Sequence, residues 1–279
     1  MDNIITTEHI DAYCLSLLAD ERAAGTISKY RRDLTAFARW LDGRAVTKES
    51  ATAWKACLLN RDYAPRTINS MLAALNSFFR FMDWNIKVRF LKIQRQIFRD
   101  SAKELTKEEY DRLLTAARES GQERLALIME TLCATGIRVS ELRYITVEAA
   151  LAGRATITLK GKIRTILLPA KLCRKLVKYA RKQKIASGEI FLTKSGRPIT
   201  RRQVWYELKR LCRAAGVEPT KVFPHNLRHL FATTFYRASR DIVRLADMLG
   251  HSSIDTTRIY LTVSGTEQQR QLDRLGLVS

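Results

Sequence analysis

The side chains able to do polar chemistry gather toward the C-terminal end of this 279-residue sequence. Of four histidines, His9 stands apart, whereas His225, His229 and His251 fall within 27 residues. Pro224 marks a helix start, so His225 and Arg228, three apart, share one helix face. His251 follows Leu249-Gly250, a helix C-cap signal, where an imidazole can simply serve the helix dipole. Metal ligation is a chemistry that clustered histidines suggest, but no cysteine or carboxylate stands at ligand spacing, so no metal is expected. Arg138 follows the helix stop at Gly136 and opens the next element, the end at which a helix dipole disfavours a cation. Glu141, one turn on, is spaced to hold its guanidinium. Tyr260, in D-T-T-R-I-Y-L, reads by itself as a core or rim residue of a helix. His229 points away from the His225 face and reads as structural.

Charge narrows the partner. The chain carries 49 Lys and Arg against 28 Asp and Glu, a net charge of +21. Residues 1–100 hold 16 basic and 11 acidic residues, and residues 101–279 hold 33 and 17. Such an excess attracts a polyanion, most often nucleic acid. Hydrophobic residues make up 46%, enough for real cores. No apolar run approaches a membrane span, and the acidic start (Asp2, Glu8, Asp11) does not read as a signal peptide. Five cysteines without a Cys-x-x-Cys pair fit a reducing compartment and disfavour a disulfide framework or a zinc site. A cytoplasmic, nucleoid-associated protein is expected.

The elements that must position these residues fall into two groups. Ile27, Tyr30, Leu34, Phe37 and Leu41 lie on one helix face, with Thr26 as N-cap. Thr47 caps a short helix through Trp54 and Leu58. Pro65 opens another through Ile68, Leu72, Leu75, Phe79 and Met82. With a helix around His9–Leu18 these make a bundle of about four helices, residues 1–86. Residues 87–102 lose the pattern, alternate basic with apolar residues and read as a linker. Residues 103–279 form the second domain, opened by the capping box of Thr106 and Glu109. Inside it, Ala155–Lys160 and Ile163–Leu168 flank Gly161 as a β-hairpin, and Glu189–Thr193 is a candidate third strand. Helices are expected at about 121–134, 138–146, 170–184, 201–214, 225–238, 241–249 and 255–262, with a tail helix near 265–275.

Taken together, the order Arg138, Lys160, His225 with Arg228, His251, then Tyr260 resembles that of the tyrosine recombinase (phage integrase) family. T-G-I-R-V-S-E-L is similar to the family's first-arginine motif, and H-N-L-R-H-L-F-A-T-T to its His-x-x-Arg motif. L-G-H-S-S-I-D-T-T-R-I-Y is similar to its second-histidine and tyrosine motif, and K-G-K-I-R-T-I-L-L-P to its lysine hairpin. Upstream, I-S-K-Y-R-R-D-L-T-A-F-A-R-W-L and A-P-R-T-I-N-S-M-L-A-A-L-N-S-F-F-R-F resemble its helical core-binding domain, so the likeness spans nearly the whole chain. The compact layout is that of Xer-type recombinases and simple mobile-element integrases, with no extra N-terminal arm-binding domain expected.

The resemblance implies cleavage and rejoining of DNA strands through a 3′-phosphotyrosyl intermediate and a Holliday junction. In that chemistry Tyr260 is the nucleophile, with His225 the candidate general base. Arg138 and Arg228 grip the non-bridging phosphate oxygens, since planar guanidinium forks suit phosphate. His251 adds a hydrogen bond to the same phosphate. Lys160 protonates the leaving 5′ oxygen, with Lys162 as the alternative, and Glu141 orients Arg138. No cofactor, metal or ATP is needed, because the phosphotyrosine conserves the phosphodiester energy.

The implied fold is mainly α with a small antiparallel sheet: a SAM-like core-binding domain and a catalytic domain closing on DNA as a C-shaped clamp. Lys29, Arg31, Arg32, Arg66, Lys92 and Arg95 are the candidate DNA contacts. Expected partners are double-stranded recombination sites and further copies of the chain, four on two paired sites. The apolar tail (Leu272, Leu275, Leu277, Val278) would contact a neighbour, and a partner recombinase or directionality factor could join. A type IB topoisomerase and a catalytically silent DNA-binding protein are the alternatives; the intact set of six residues argues against decay.

Overall fold

The computed structural model describes residues 3–94, 101–159, 162–260 and 273–275, with the main chain alone at Ser101, Leu159 and Lys162. It divides into two compact units, Met1–Arg95 and Gln96–Ser279. The regular structure is mainly helical, with one two-stranded antiparallel sheet among the described residues, as the sequence led us to expect. None of the described helices is long and apolar enough to cross a membrane.

The first unit holds four helices, α1 (Thr7–Ala19), α2 (Ala24–Leu41), α3 (Lys48–Asn60) and α4 (Pro65–Phe81). Their apolar faces meet in a core built on Leu34, Phe37, Trp54, Leu72, Leu75, Phe78 and Phe79. Thr47 caps α3 and Pro65 opens α4. Thr26 is not the cap of α2: that helix begins two residues earlier, because the Thr26 amide already donates to the Ala23 carbonyl. Residues 88–91, within the stretch expected as linker, are tied to α4 by two asparagines seven positions apart. Asn76 and Asn69 each donate to and accept from the main chain of Val88 and Leu91 at 2.8–2.9 Å.

The second unit opens with α5 (Lys107–Glu119), where Thr106 and Glu109 form the capping box, and α6 (Glu123–Thr135). The helix expected over 138–146 is instead a 3-10 turn, Val139–Tyr144, followed by the separate α7 (Val147–Ala152). Ile145 donates to the carbonyl of Leu142, three back, and the Thr146 hydroxyl caps the new helix. Strands β1 (Arg154–Leu159) and β2 (Lys162–Leu167) pair in register, Ile157 opposite Arg164 and Leu159 opposite Lys162. Then come α8 (Ala170–Lys182), α9 (Arg201–Ala215), α10 (Pro224–Ser239), α11 (Ile242–Leu249) and the single turn α12 (Ile254–Thr257), which runs into a 3-10 turn ending at Tyr260.

The candidate third strand at Glu189–Thr193 is not one. It makes only isolated bridges, at Glu189 and Leu192, while Ile190 and Phe191 anchor it in the core. Its apolar, β-branched composition serves burial, and its amides go to short connectors such as Ile145 and Arg197. The expected tail helix lies outside the described residues except for 273–275.

Candidate active site

The site is assembled where α6, α10 and α11 end or begin. Gly136 terminates α6 in the left-handed conformation (φ +64°), and a Cβ there would lie 2.3 Å from the Phe231 ring. Only glycine fits so close a contact at that backbone angle. The bare corner lets the Gly136 carbonyl accept from Arg228 Nη1 at 2.5 Å. Arg228 Nη2 donates to the carbonyl of Leu249, the last residue of α11, at 2.8 Å. The guanidinium, 3% exposed, therefore sits on the carbonyl ends of two helices, where the dipoles favour a cation. No carboxylate is bonded to it among the described residues, so its charge is not locally neutralised. Burial first, then the neighbouring Arg138, lowers its pKa to about 10, which still leaves it cationic at neutral pH.

Arg138 enters from the turn after Gly136. Its main-chain N–H donates to Glu141 Oε2 at 2.7 Å and its Nη1 to Oε1 at 3.1 Å. The carboxylate is 1% exposed, whereas the Arg138 side chain is 41% exposed, a cation held from behind and open in front. Arg164, from β2, donates to the same Glu141 Oε2 at 2.7 Å. Two guanidiniums thus share one buried carboxylate, and a third, Arg228, stands nearby on main-chain carbonyls alone. The surplus positive charge, with N–H groups left over, is what an oxyanion such as a phosphate diester would neutralise.

His251 follows Gly250, whose left-handed backbone (φ +64°) closes α11. Its Nδ1 lies 2.8 Å from the hydroxyl of buried Thr257, and its Nε2 lies 3.0 Å from Arg228 Nη2. Burial, with Arg228, Arg138, Arg164 and His225 around it, lowers its pKa to about 4. His225, in the first turn of α10, is exposed. Its pKa is also lowered, by partial desolvation first and then by Arg228, Arg138 and Arg201.

Tyr260 is 4% exposed and packs with Phe231, Ala232, Leu245 and Leu249. Its ring centroid lies 6.3 Å from that of His251, nearly parallel, and 5.0 Å from that of His229. His229, set aside as structural in the sequence, is therefore a direct neighbour of the tyrosine. Lys160 and Arg95 lie outside the described residues.

Arg138, Glu141, Arg228, His251 and Tyr260 are thus brought into one neighbourhood, with His225 close enough to feel both arginines. Two members escaped the sequence reading. Thr257 gives no signal beyond being a hydroxyl six residues after His251, and Arg164 gives none beyond a charged position in a short strand. In the first unit, Lys29 is committed to Asp33 and to the Ser70 carbonyl, and Arg31 to Asp11. Arg32, Arg66 and Lys92 are exposed.

Comparison with known proteins accords with this arrangement. Residues 103–267 match the phage integrase family, and residues 10–85 match the phage integrase N-terminal SAM-like domain. The chain is 33% identical to tyrosine recombinase XerC of Roseiflexus castenholzii over 91% of its length and 88% of the relative's. It is 29% identical to tyrosine recombinase XerA of Pyrococcus furiosus over 99% of its length and 97% of the relative's. Among solved structures, a XerH recombinase in a post-cleavage complex with palindromic difH superposes with TM-score 0.74 at 19% identity, covering 98% of this chain and 84% of that one. A lambda integrase tetramer on a Holliday junction superposes with TM-score 0.73 at 22% identity, covering 93% and 78%. The chain belongs to the phage integrase family, the tyrosine-type site-specific DNA recombinases.

Proposed function

We propose that Arg138, Arg228 and His251 hold a scissile DNA phosphate and that Tyr260 attacks it. The observation that carries this reading is the cluster of Arg138, Arg164 and Arg228 with a single buried carboxylate, Glu141, bonded to the first two, and Tyr260 packed beside His251. The Tyr260 oxygen bonds to phosphorus as the bond from phosphorus to the 5′ oxygen breaks. The phenol proton passes to His225, and Lys160 delivers a proton to the departing oxygen. The products are a 3′-phosphotyrosine and a free 5′-hydroxyl. Rejoining is the reverse, with the 5′-hydroxyl of the partner strand as nucleophile. One phosphoester replaces another, so no external energy source enters.

Tyr260 is buried before DNA binds, so attack requires the Ile254–Tyr260 segment to turn its phenol toward the phosphate. Arg32, Arg66 and Lys92 supply backbone contacts from the first unit, giving affinity that falls steeply with salt. Two pairs of subunits join two sites and exchange strands in two rounds through a Holliday junction, in integration and excision or in dimer resolution. The similarity to XerA and XerC, and to a lambda integrase tetramer on a Holliday junction, supports this assembly.

The test uses nicked duplexes cut from the DNA that flanks the gene, incubated without metal or ATP and run on a denaturing gel. Wild type is expected to give a covalent protein–DNA band, and Tyr260→Phe to bind the same duplex without one. A band retained by Tyr260→Phe, or specific binding by wild type with no band on any cleavable duplex, overturns the assignment.

A further inference from the structure

We propose that Arg164 is a positioning residue for strand cleavage, a fork that locks the carboxylate behind Arg138 to the helix end that presents His251. The inference rests on the recombinase reading of the same site.

Arg164 lies on β2 opposite Ile157, and its side chain is 16% exposed. Its two terminal nitrogens go to two different elements. Nη2 donates to Glu141 Oε2 at 2.7 Å, and Nη1 donates to the carbonyl of Met248, near the end of α11, at 3.0 Å. Between these anchors the side chain passes against Gly250. A Cβ on Gly250 would lie 2.3 Å from Nη1 and 2.8 Å from Cδ and Cζ of Arg164. The glycine before His251 is thus required on two counts, its left-handed backbone and the arginine packed against it.

Glu141 alone does not explain how Arg138 is aimed. Its Oε1 takes the Arg138 guanidinium and its Oε2 takes the Arg138 amide, both from the residue being aimed. The Arg164 bond is the one of these that comes from another element, and it fixes the plane of the carboxylate. Lysine could not do the same, because a single ammonium on a flexible stem is not a planar fork reaching two acceptors. The position is costly as well: burial and the nearby Arg138 both disfavour the Arg164 cation, and Glu141 opposes them. A surface ion pair would avoid that cost.

The experiment measures single-turnover adduct formation by the full chain on the nicked duplex that wild type cleaves, alongside DNA affinity and Tm. Arg164→Gln is expected to slow adduct formation about a hundredfold, as a misplacement of about 1 Å can, with affinity nearly unchanged. Arg164→Lys is expected to stay close to that defect. Because Arg164 acts partly through Arg138, Arg138→Ala/Arg164→Gln should be faster than the product of the two single losses predicts. Should Arg164→Gln fail to fold, Gly250→Ala displaces the same side chain without removing its charge and should reproduce the defect. A near-wild-type rate for Arg164→Gln, full rescue by lysine, or losses that multiply in the double variant overturns the proposal.

Absence of any wild-type adduct would instead count against the recombinase reading. The proposal would then be judged on the imidazole resonances of the DNA-free protein. Arg164→Gln should move those of His251 and leave those of His9 in place; an unmoved His251 contradicts it.

Discussion

Nη2 of Arg228 lies 3.0 Å from Nε2 of His251, and a guanidinium can only donate, so that ring nitrogen accepts. Without DNA the ring proton therefore sits on Nδ1, facing the Thr257 hydroxyl at 2.8 Å, and donation to a phosphate requires it on Nε2 once Arg228 turns to the same phosphate. His251 is held neutral by desolvation and by the cations around it, with a pKa lowered to about 4 from 6.5. The unfolded chain binds this proton more readily than the folded one, so stability rises with pH between those values. The contribution is present above pH 6.5 and lost as pH falls toward 4; His225, shifted the same way, adds to it. Thermal unfolding of wild type should drop more between pH 7 and 4.5 than that of His251→Gln. Parallel curves would show that the imidazole is not held neutral.

Gly136 and Gly153 make a matched pair. Both close helices at positive φ, +64° and +68°, but a Cβ on Gly136 would meet Phe231 at 2.3 Å, while Gly153 has nothing within 4 Å. Gly153→Ala should cost about 1 kcal/mol for the left-handed backbone. Gly136→Ala should cost about 2–4 kcal/mol, overpacking added to the same backbone strain. Because the Gly136 carbonyl holds Arg228, adduct formation should fall with it. Denaturant melts compare the two, and equal costs would contradict the packing argument.

The candidate site was legible only through the likeness of its motifs to a known family, since each residue alone reads as structural, whereas helix periodicity with its caps at Thr47, Pro65 and Thr106 made the helices legible. What stayed hidden depends on through-space contacts between distant positions. Arg164 meets Glu141 across 23 residues, and Arg228 meets Leu249 across 21. A local pattern carries no trace of such pairs. The stretch after Arg138 looked helical from its composition, but the i to i+3 bond at Ile145 and the Thr146 cap break it into a turn and a new helix. Glu189–Thr193 looked like a strand because burial and strand pairing call for the same residues.

The choice between Lys160 and Lys162 is decided by the leaving group. A duplex with sulfur in place of the bridging 5′ oxygen releases a thiolate that needs no proton donor, since a thiol ionises near pH 8.5. Lys160→Ala should be slow on the oxygen substrate and near wild type on the sulfur one, whereas Lys162→Ala should be little affected on either. The reverse pattern would transfer the role to Lys162.

The sequence leads us to expect that the apolar tail contacts a neighbouring subunit. A chain lacking residues 265–279 should bind a single site with unchanged affinity on a native gel and fail to bring two sites together. Undiminished recombination by the truncated chain would remove that expectation.

The central claim is that Tyr260 forms a 3′-phosphotyrosyl bond. Its most direct measurement is to digest the wild-type adduct, locate the attached nucleotide by mass spectrometry, and test the released strand for a kinase-labelled 5′-hydroxyl. Nucleotide mass on Tyr260 and a labelled 5′ end are expected. Attachment to another residue, or a free 3′-hydroxyl with the 5′ end linked to protein, would contradict the claim.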